Sequence, residues 1–193
     1  MIALPDLPGF ADPTAEAQAS FRAVLDAMAR PGQIYPAGLG LRAPTPLDPA
    51  TAAVLLSLLD QDTPLWLDPA FDPARDWIGF HCAAPWASGP AAAAFVVATA
   101  LPPLDRLGLG SDEAPEEGAT VLLQLPALGS GARFRLSGPG LAAPALFAAA
   151  GLGADFVAFR AANHARFPRG VDLILCAGKR LAALPRSVRV EAL

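Results

Sequence analysis

Lysine is almost missing from this chain: Lys179 is the single instance in 193 residues. Histidine and cysteine are nearly as scarce, with two of each. Cys82 and Cys176 lie far apart and share no metal-ligand spacing, which with only two histidines argues against a structural zinc site. Each cysteine sits in an apolar run and reads as a buried free thiol. No Lys/Arg-rich run occurs, the net charge is −4 and the pI is near 5.0. The cations that nucleic-acid or membrane-surface binding requires are therefore lacking, although arginines distant in sequence can still gather into one local basic pocket. The longest apolar stretch, 90–104, is broken by Pro102 and Pro103 and is too short for a membrane span. The opening Met1-Ile2-Ala3-Leu4-Pro5-Asp6 has no basic region leading an apolar core. No signal peptide is expected there, and the expected location is cytoplasmic.

Apolar residues make up 53% of the chain and charged residues 17%, a composition that folds rather than stays disordered. The length suits one domain covering 1–193. Asp12-Pro13 predicts a helix start, with Asp as cap and Pro in the first turn. Phe21, Val24, Leu25 and Met28 then form its expected apolar face, and Pro31-Gly32 stops it. Arg22 and Arg30 fall outside that stripe. A second helix is predicted from Asp48-Pro49 through Leu59. Strands are expected at 65–67, 77–82, 95–99 and 171–176. A strand pair, 120–125 with 133–137, is expected around a loop containing Gly129 and Gly131. Residues 108–118 read as an exposed acidic loop, 145–164 as one or two helices broken at Gly151-Leu152-Gly153, and 181–184 with 188–190 as a closing pair. Interleaved strands and helices predict an α/β fold, a mixed sheet flanked by helices in three layers.

Several clusters carry polar chemistry, each with a plain structural alternative. Asp60, Asp62 and Thr63 share a polar turn that suits either Mg²⁺–triphosphate or a capped helix end. Gly138-Pro139-Gly140 follows a predicted strand like a dinucleotide fingerprint. Pro139 removes one of the N–H groups a phosphate would use, so a tight turn is the better reading. Asp172 at the mouth of an apolar strand requires a partner. Arg169, beside Gly170, and Arg186, Arg30 and Arg22 are the candidates to pair with it or to grip phosphate oxygens. His81 and Cys82, as neighbours on a predicted strand, point to opposite faces and cannot form a nucleophile–base pair. His164 reads as a solvated or capping residue. Lys179 falls in a turn-like Gly178-Lys179-Arg180, a poor place for the Schiff base that pyridoxal phosphate needs.

The punctuated segments follow a familiar series. They run from Phe21-Arg22 through Met28 to Arg30-Pro31-Gly32, then Leu58 through Asp60, Asp62, Thr63 and Pro64 to Leu67. Phe80-His81, Pro115 through Gly118 to Thr120, and Leu136-Ser137-Gly138-Pro139-Gly140 come next. Phe167-Pro168-Arg169-Gly170-Val171-Asp172 and Leu184-Pro185-Arg186 complete it. In order and spacing, and over almost the whole chain, this series resembles the PhnH family of the bacterial carbon–phosphorus lyase system.

The resemblance implies a subunit of organic phosphonate catabolism, with partners of PhnG, PhnI, PhnJ and PhnL types. With such partners the system displaces adenine from MgATP by an alkylphosphonate, giving a ribose 1-phosphonate 5-triphosphate. A separate iron–sulfur radical subunit later breaks the carbon–phosphorus bond. The implied fold is that of pyridoxal-phosphate-dependent transferases without the cofactor, and the implied state in isolation is a homodimer. The family supplies no catalytic residue to carry over. The residues themselves leave two alternatives open: a stand-alone α/β enzyme acting on a phosphorylated metabolite through Arg169 and Asp172, and a scaffold that never touches substrate.

Overall fold

The computed structural model describes residues 7–193, so the reading of the first six residues lies outside it. The chain builds four α-helices and nine strands over these residues. The helices are α1 (Pro13–Ala29), α2 (Pro49–Leu58), α3 (Arg75–Cys82) and α4 (Phe156–His164). The first strands are β1 (Tyr35–Pro36), β2 (Leu65–Leu67), β3 (Phe95–Ala98), β4 (Thr120–Gln124) and β5 (Ala127–Ser137). After them come β6 (Ala145–Ala150), β7 (Asp172–Ala177), β8 (Arg180–Leu184) and β9 (Arg189–Ala192).

A six-stranded sheet, ordered β1-β8-β7-β4-β3-β2, organises the molecule. Its members β2, β3, β4 and β7 are mutually parallel, and β8 and β1 add antiparallel. The sheet is mixed, as the interleaved elements predict. Parallel strands are apolar on both faces because both are covered, and here alternate residues feed two cores. Val97, Leu122, Ile174 and Cys176 face the core under α1, α2 and α3. Val96, Val121, Leu123, Leu173 and Leu175 face the other, closed by a second sheet β6-β5-β9 and by α4. The third layer is thus a small sheet with one helix, where helices alone were expected.

Asp12 caps α1 by accepting from the Ala15 N–H at 3.0 Å, and Pro13 opens the helix. The buried face is only partly the predicted one: Val24 is inside and Met28 packs against the core, but Ser20, Ala23 and Ala27 complete the face, and Phe21 and Leu25 are exposed. The small side chains let α1 lie close on α2 and β8, and the bulky pair is turned outward.

Four other expectations need correction. Residues 77–82 are helical, not a strand, with Trp77, Ile78 and Cys82 buried. A parallel β2–β3 pair requires a crossover, and α3 supplies it. Strands β4 and β5 do not pair with each other: β4 is locked between β3 and β7, and β5 pairs with β6 and β9. Residues 145–150 form a strand despite their alanines, because pairing with β5 outweighs alanine's helical preference, which tertiary context readily overrides. The 181–184 and 188–190 segments belong to different sheets, the chain crossing between layers at 185–188. No helix among the described residues is long and apolar enough to cross a membrane.

Cys82 and Cys176 are both buried, and burial pushes both thiols up, to about 12. The thiolate is the reactive form. Ellman's reagent at mildly alkaline pH should therefore label the native chain at least about a hundredfold more slowly than free cysteine, and label both thiols in denaturant. Fast labelling of native protein would show that the core under α1, α2 and α3, which holds both thiols, opens.

Candidate functional site

Of the polar residues singled out in sequence, two are directly joined. Asp172, first in β7, receives Arg186 Nη2 at 2.7 Å and Nε at 3.1 Å on Oδ2. The Arg186 backbone N–H donates to Oδ1 at 2.7 Å. The side chains are only 12% and 17% exposed for Arg186 and Asp172. Arg186 Nη1 donates to the carbonyls of Pro115 and Pro168. One guanidinium therefore fastens the 115–118 turn and the 167–172 loop to the 185–188 crossing.

Two glycines open the space for it. A Cβ on Gly118 would fall 2.2 Å from the Gly170 carbonyl and 2.8 Å from Arg186 Nη1. At Gly170, where φ is +132°, it would fall 2.6 Å from Asn163 Oδ1. The buried Asn163 amide donates to the Val171 carbonyl and accepts from the Val171 N–H, both at 2.9 Å.

Less than a turn earlier on α4, Arg160 is 1% exposed. Its guanidinium donates to the carbonyls of Leu184 at 3.3 Å, Val188 at 2.9 Å, and Pro185. Burial pulls Arg160 down, to about 10, and nearby Asp172 works against that fall. The group stays charged at neutral pH, and its interior position is made tenable by carbonyl dipoles and one nearby carboxylate. Sequence reading missed Arg160 and Asn163. Their signal is the spacing Phe156, Arg160, Asn163, which places two polar residues on the inward face of a helix.

The other candidates lie elsewhere and are largely occupied by local partners. Arg169 reaches Asp112 at 3.1 Å in an exposed pair. Arg30 pairs with Asp26 one turn back on α1. Asp60 accepts from the Asp62 N–H at 3.0 Å and the Thr63 hydroxyl at 2.6 Å, bonds that hold its carboxyl below the usual range. That turn precedes β2, three strand spacings from Asp172, or about 14 Å. Gly138 and Gly140 adopt positive φ in a tight turn, and a Cβ on Gly140 would strike the Ala29 carbonyl at 2.5 Å. On α3, His81 Nε2 sits 3.3 Å from the Leu7 carbonyl, with its ring against Trp77 and Phe80. His81 and Cys82 are thus successive residues of a helix, not opposite faces of a strand. His164 accepts from Arg189 Nε at 3.0 Å. Arg22 is exposed and lines a groove of about 540 Å³ between α1 and residues 35–40, together with Glu16, Asp26 and Tyr35.

Open α/β sheets take ligands at the carboxyl ends of their strands, where strand order reverses. Here β2, β3, β4 and β7 sit side by side in chain order, with no reversal. Gln124, at the carboxyl end of β4, accepts from the Asp48 N–H and the Thr51 hydroxyl and donates to the Pro46 carbonyl. Asp48 in turn accepts from the Gly178 N–H at 2.7 Å. The 46–51 segment is thereby bound down over that end of the sheet.

Fold and polar network together define a mixed α/β protein whose motif residues knot its own loops together. Several of the segments that punctuate the sequence meet in the structure: 115–120, 167–172 and 184–186 at Arg186, and 30–32 with 136–140 where Gly140 packs on Ala29 and Pro31. Residues 8–191 match the model of the bacterial phosphonate metabolism protein family, PhnH. The chain belongs to the PhnH family. It is 40% identical over 187 residues, 94% of each chain, to the alpha-D-ribose 1-methylphosphonate 5-triphosphate synthase subunit PhnH of Rhizobium meliloti (strain 1021). It is 33% identical over 178 residues, 90% of this chain and 85% of the relative, to the putative C-P lyase subunit protein HtxG of Stutzerimonas stutzeri.

Removing one member of a largely buried ion pair costs about 3–5 kcal/mol, whereas an exposed pair contributes about 1 kcal/mol or less. Arg186→Met should lower unfolding stability in urea by about 3 kcal/mol, and Arg169→Glu by less than about 1 kcal/mol. Equal losses in the two variants would contradict the central role given to Arg186.

Proposed function

We propose that this chain is an assembly subunit of the carbon–phosphorus lyase system in organic phosphonate catabolism, working with PhnG-, PhnI-, PhnJ- and PhnL-type partners. In this reading the assembled proteins displace adenine from MgATP by an alkylphosphonate and form ribose 1-phosphonate 5-triphosphate. The observation that carries it is the nearly end-to-end match to a relative named as a subunit of such a synthase. The internal pairing of Asp172, Arg186, Arg160 and Asp60 supports a structural role for these groups over a catalytic one.

The reading includes no cofactor held by this chain. Lys179 Nζ donates to the Leu39 carbonyl at 2.7 Å on the β7–β8 turn. An exposed lysine tied to a main-chain oxygen suits a surface brace better than a Schiff base. The reading keeps the proposed kinship with pyridoxal-phosphate-dependent transferases to the chain path alone. A cytoplasmic location and a homodimer in the absence of partners complete the proposal. The outward-turned Phe21 and Leu25 of α1 support an apolar contact of that kind.

Calorimetric titration with MgATP and methylphosphonate, separately and together, tests the reading. The isolated chain should give no saturable heat. Adenine release should appear once PhnG-, PhnI- and PhnL-type partners are added, and vanish when this chain is left out. Saturable MgATP binding by the chain alone would replace the assembly role with a ligand site, and Arg22 in its groove would be the first residue to change. Undiminished turnover without the chain would overturn the proposal.

A further inference from the structure

Four strands have one side open: β1 and β2 end the large sheet, and β6 and β9 end the small one. Open edges offer unpaired N–H and C=O groups, and folded proteins blunt them with brevity, proline, charge or cover. Strand β1 is two residues long and one is Pro36. Strand β2 is three residues long, and the Leu65 N–H and carbonyl are taken by Pro85 and Ala87. Strand β9 carries Arg189 and Glu191. By contrast β6 reads Ala-Leu-Phe-Ala-Ala-Ala, six residues without charge, proline or glycine. Its main-chain pairing among the described residues is with β5 alone. Leu146 on its outer face is 65% exposed.

The charges beside this bare edge indicate what covers it. On the outer face, Leu146 lies opposite Arg135 of β5, and Ala148 opposite Arg133. Arg135 has Glu191 across from it on β9, although not at ion-pair distance, and Arg133 has Leu193 on that side. Neither arginine joins a salt bridge among the described residues. In a chain of net charge −4, Arg133, which lies opposite Ala148 of β6 and joins no salt bridge among the described residues, favours an acidic occupant of the apolar edge. A second copy laid β6 against β6 would offer leucine and alanine, with no carboxylate for Arg133.

We propose that β6 seats an extended segment of a partner subunit, which adds as a fourth strand to the small sheet and presents a carboxylate to Arg133 across Ala148. This rests on the assembly reading above. Main-chain hydrogen bonds along the edge would supply affinity, and side chains at alternate positions selectivity. A strand beyond β6 lies two spacings, about 10 Å, from β5. An arginine and a glutamate extended toward each other cover that distance, and the single methyl of Ala148 leaves the path clear.

The test uses the full chain with co-purified PhnG- and PhnI-type partners, read by hydrogen exchange and by assembly in size-exclusion chromatography. Exchange of the 145–150 amides should slow at least about tenfold in the complex. Ala148→Lys and Arg133→Glu should each weaken assembly by about tenfold or more, with Arg133→Lys restoring it. Arg133 is exposed, so its variants fold even if Ala148→Lys disturbs the strand. A complex that forms while 145–150 exchange as in the isolated chain, or that is indifferent to Arg133→Glu, overturns the edge proposal and leaves the assembly reading standing. Protection that instead grows with concentration of the chain alone identifies a second copy as occupant and overturns the assignment to a partner. If no complex forms and 145–150 stay open, both readings fall.

Discussion

The constraint on which everything else rests is that a parallel sheet must be buried on both faces. Strands β3, β4 and β7 contribute valine, leucine and isoleucine alternately to the two sides, so the chain has to supply two covers. The first cover comes from α1, α2 and α3. The second is assembled from the small sheet and α4, and it is reached by leaving the central sheet after β4 and returning at β7. The 185–188 crossing then takes the chain from β8 back to that layer. This double passage leaves loop backbone between the layers, where water cannot satisfy it.

Arginine is the device used at that crossing. Arg160 serves three carbonyls of the 184–188 segment from inside, and Arg186 ties the same segment outward to Asp172, Pro115 and Pro168. A guanidinium has five donors in a fixed fork, so one side chain answers several carbonyls that no regular element pairs. The arrangement also explains the family's motifs. Gly118 and Gly170 are needed because any side chain there would collide with the knot or with the backbone and amide beside it. These motifs record how the layers are fastened, which accounts for the absence of a familiar catalytic spacing among them.

Such a molecule suits a protein that works within an assembly. Most of its interior polar groups are matched to one another, Arg160 Nε and His164 Nδ1 excepted, and its exposed apolar groups lie outside: Phe21 and Leu25 on α1, and the bare edge of β6 beside Arg133. Stability and recognition are thereby assigned to different parts of the chain. The knot at Arg186 fixes the crossing that leads into β9, and the small sheet that β9 joins displays the open strand.

The sequence by itself determined the elements whose signals are local. Asp12-Pro13 and Asp48-Pro49 marked helix starts because a proline's fixed φ acts within one turn, joined at Asp12 by a side-chain cap. The Asp48 side chain is spent on the Gly178 N–H instead. The unbroken apolar run before Cys176 marked a strand covered on both sides. The need for a partner at Asp172 was also legible, since a carboxylate beside an apolar strand is costly alone. Which arginine supplies it was not, because Arg169 is nearer in sequence and Arg186 nearer in space. Only the tertiary structure decided that 145–150 is a strand, that 77–82 is a helix, and that Phe21 faces outward. In each case the local preference is weak or ambiguous, and the outcome is set by what another part of the chain leaves to be paired or covered: β5 needs a neighbour, parallel strands need a crossover, and α1 packs closest through its small residues.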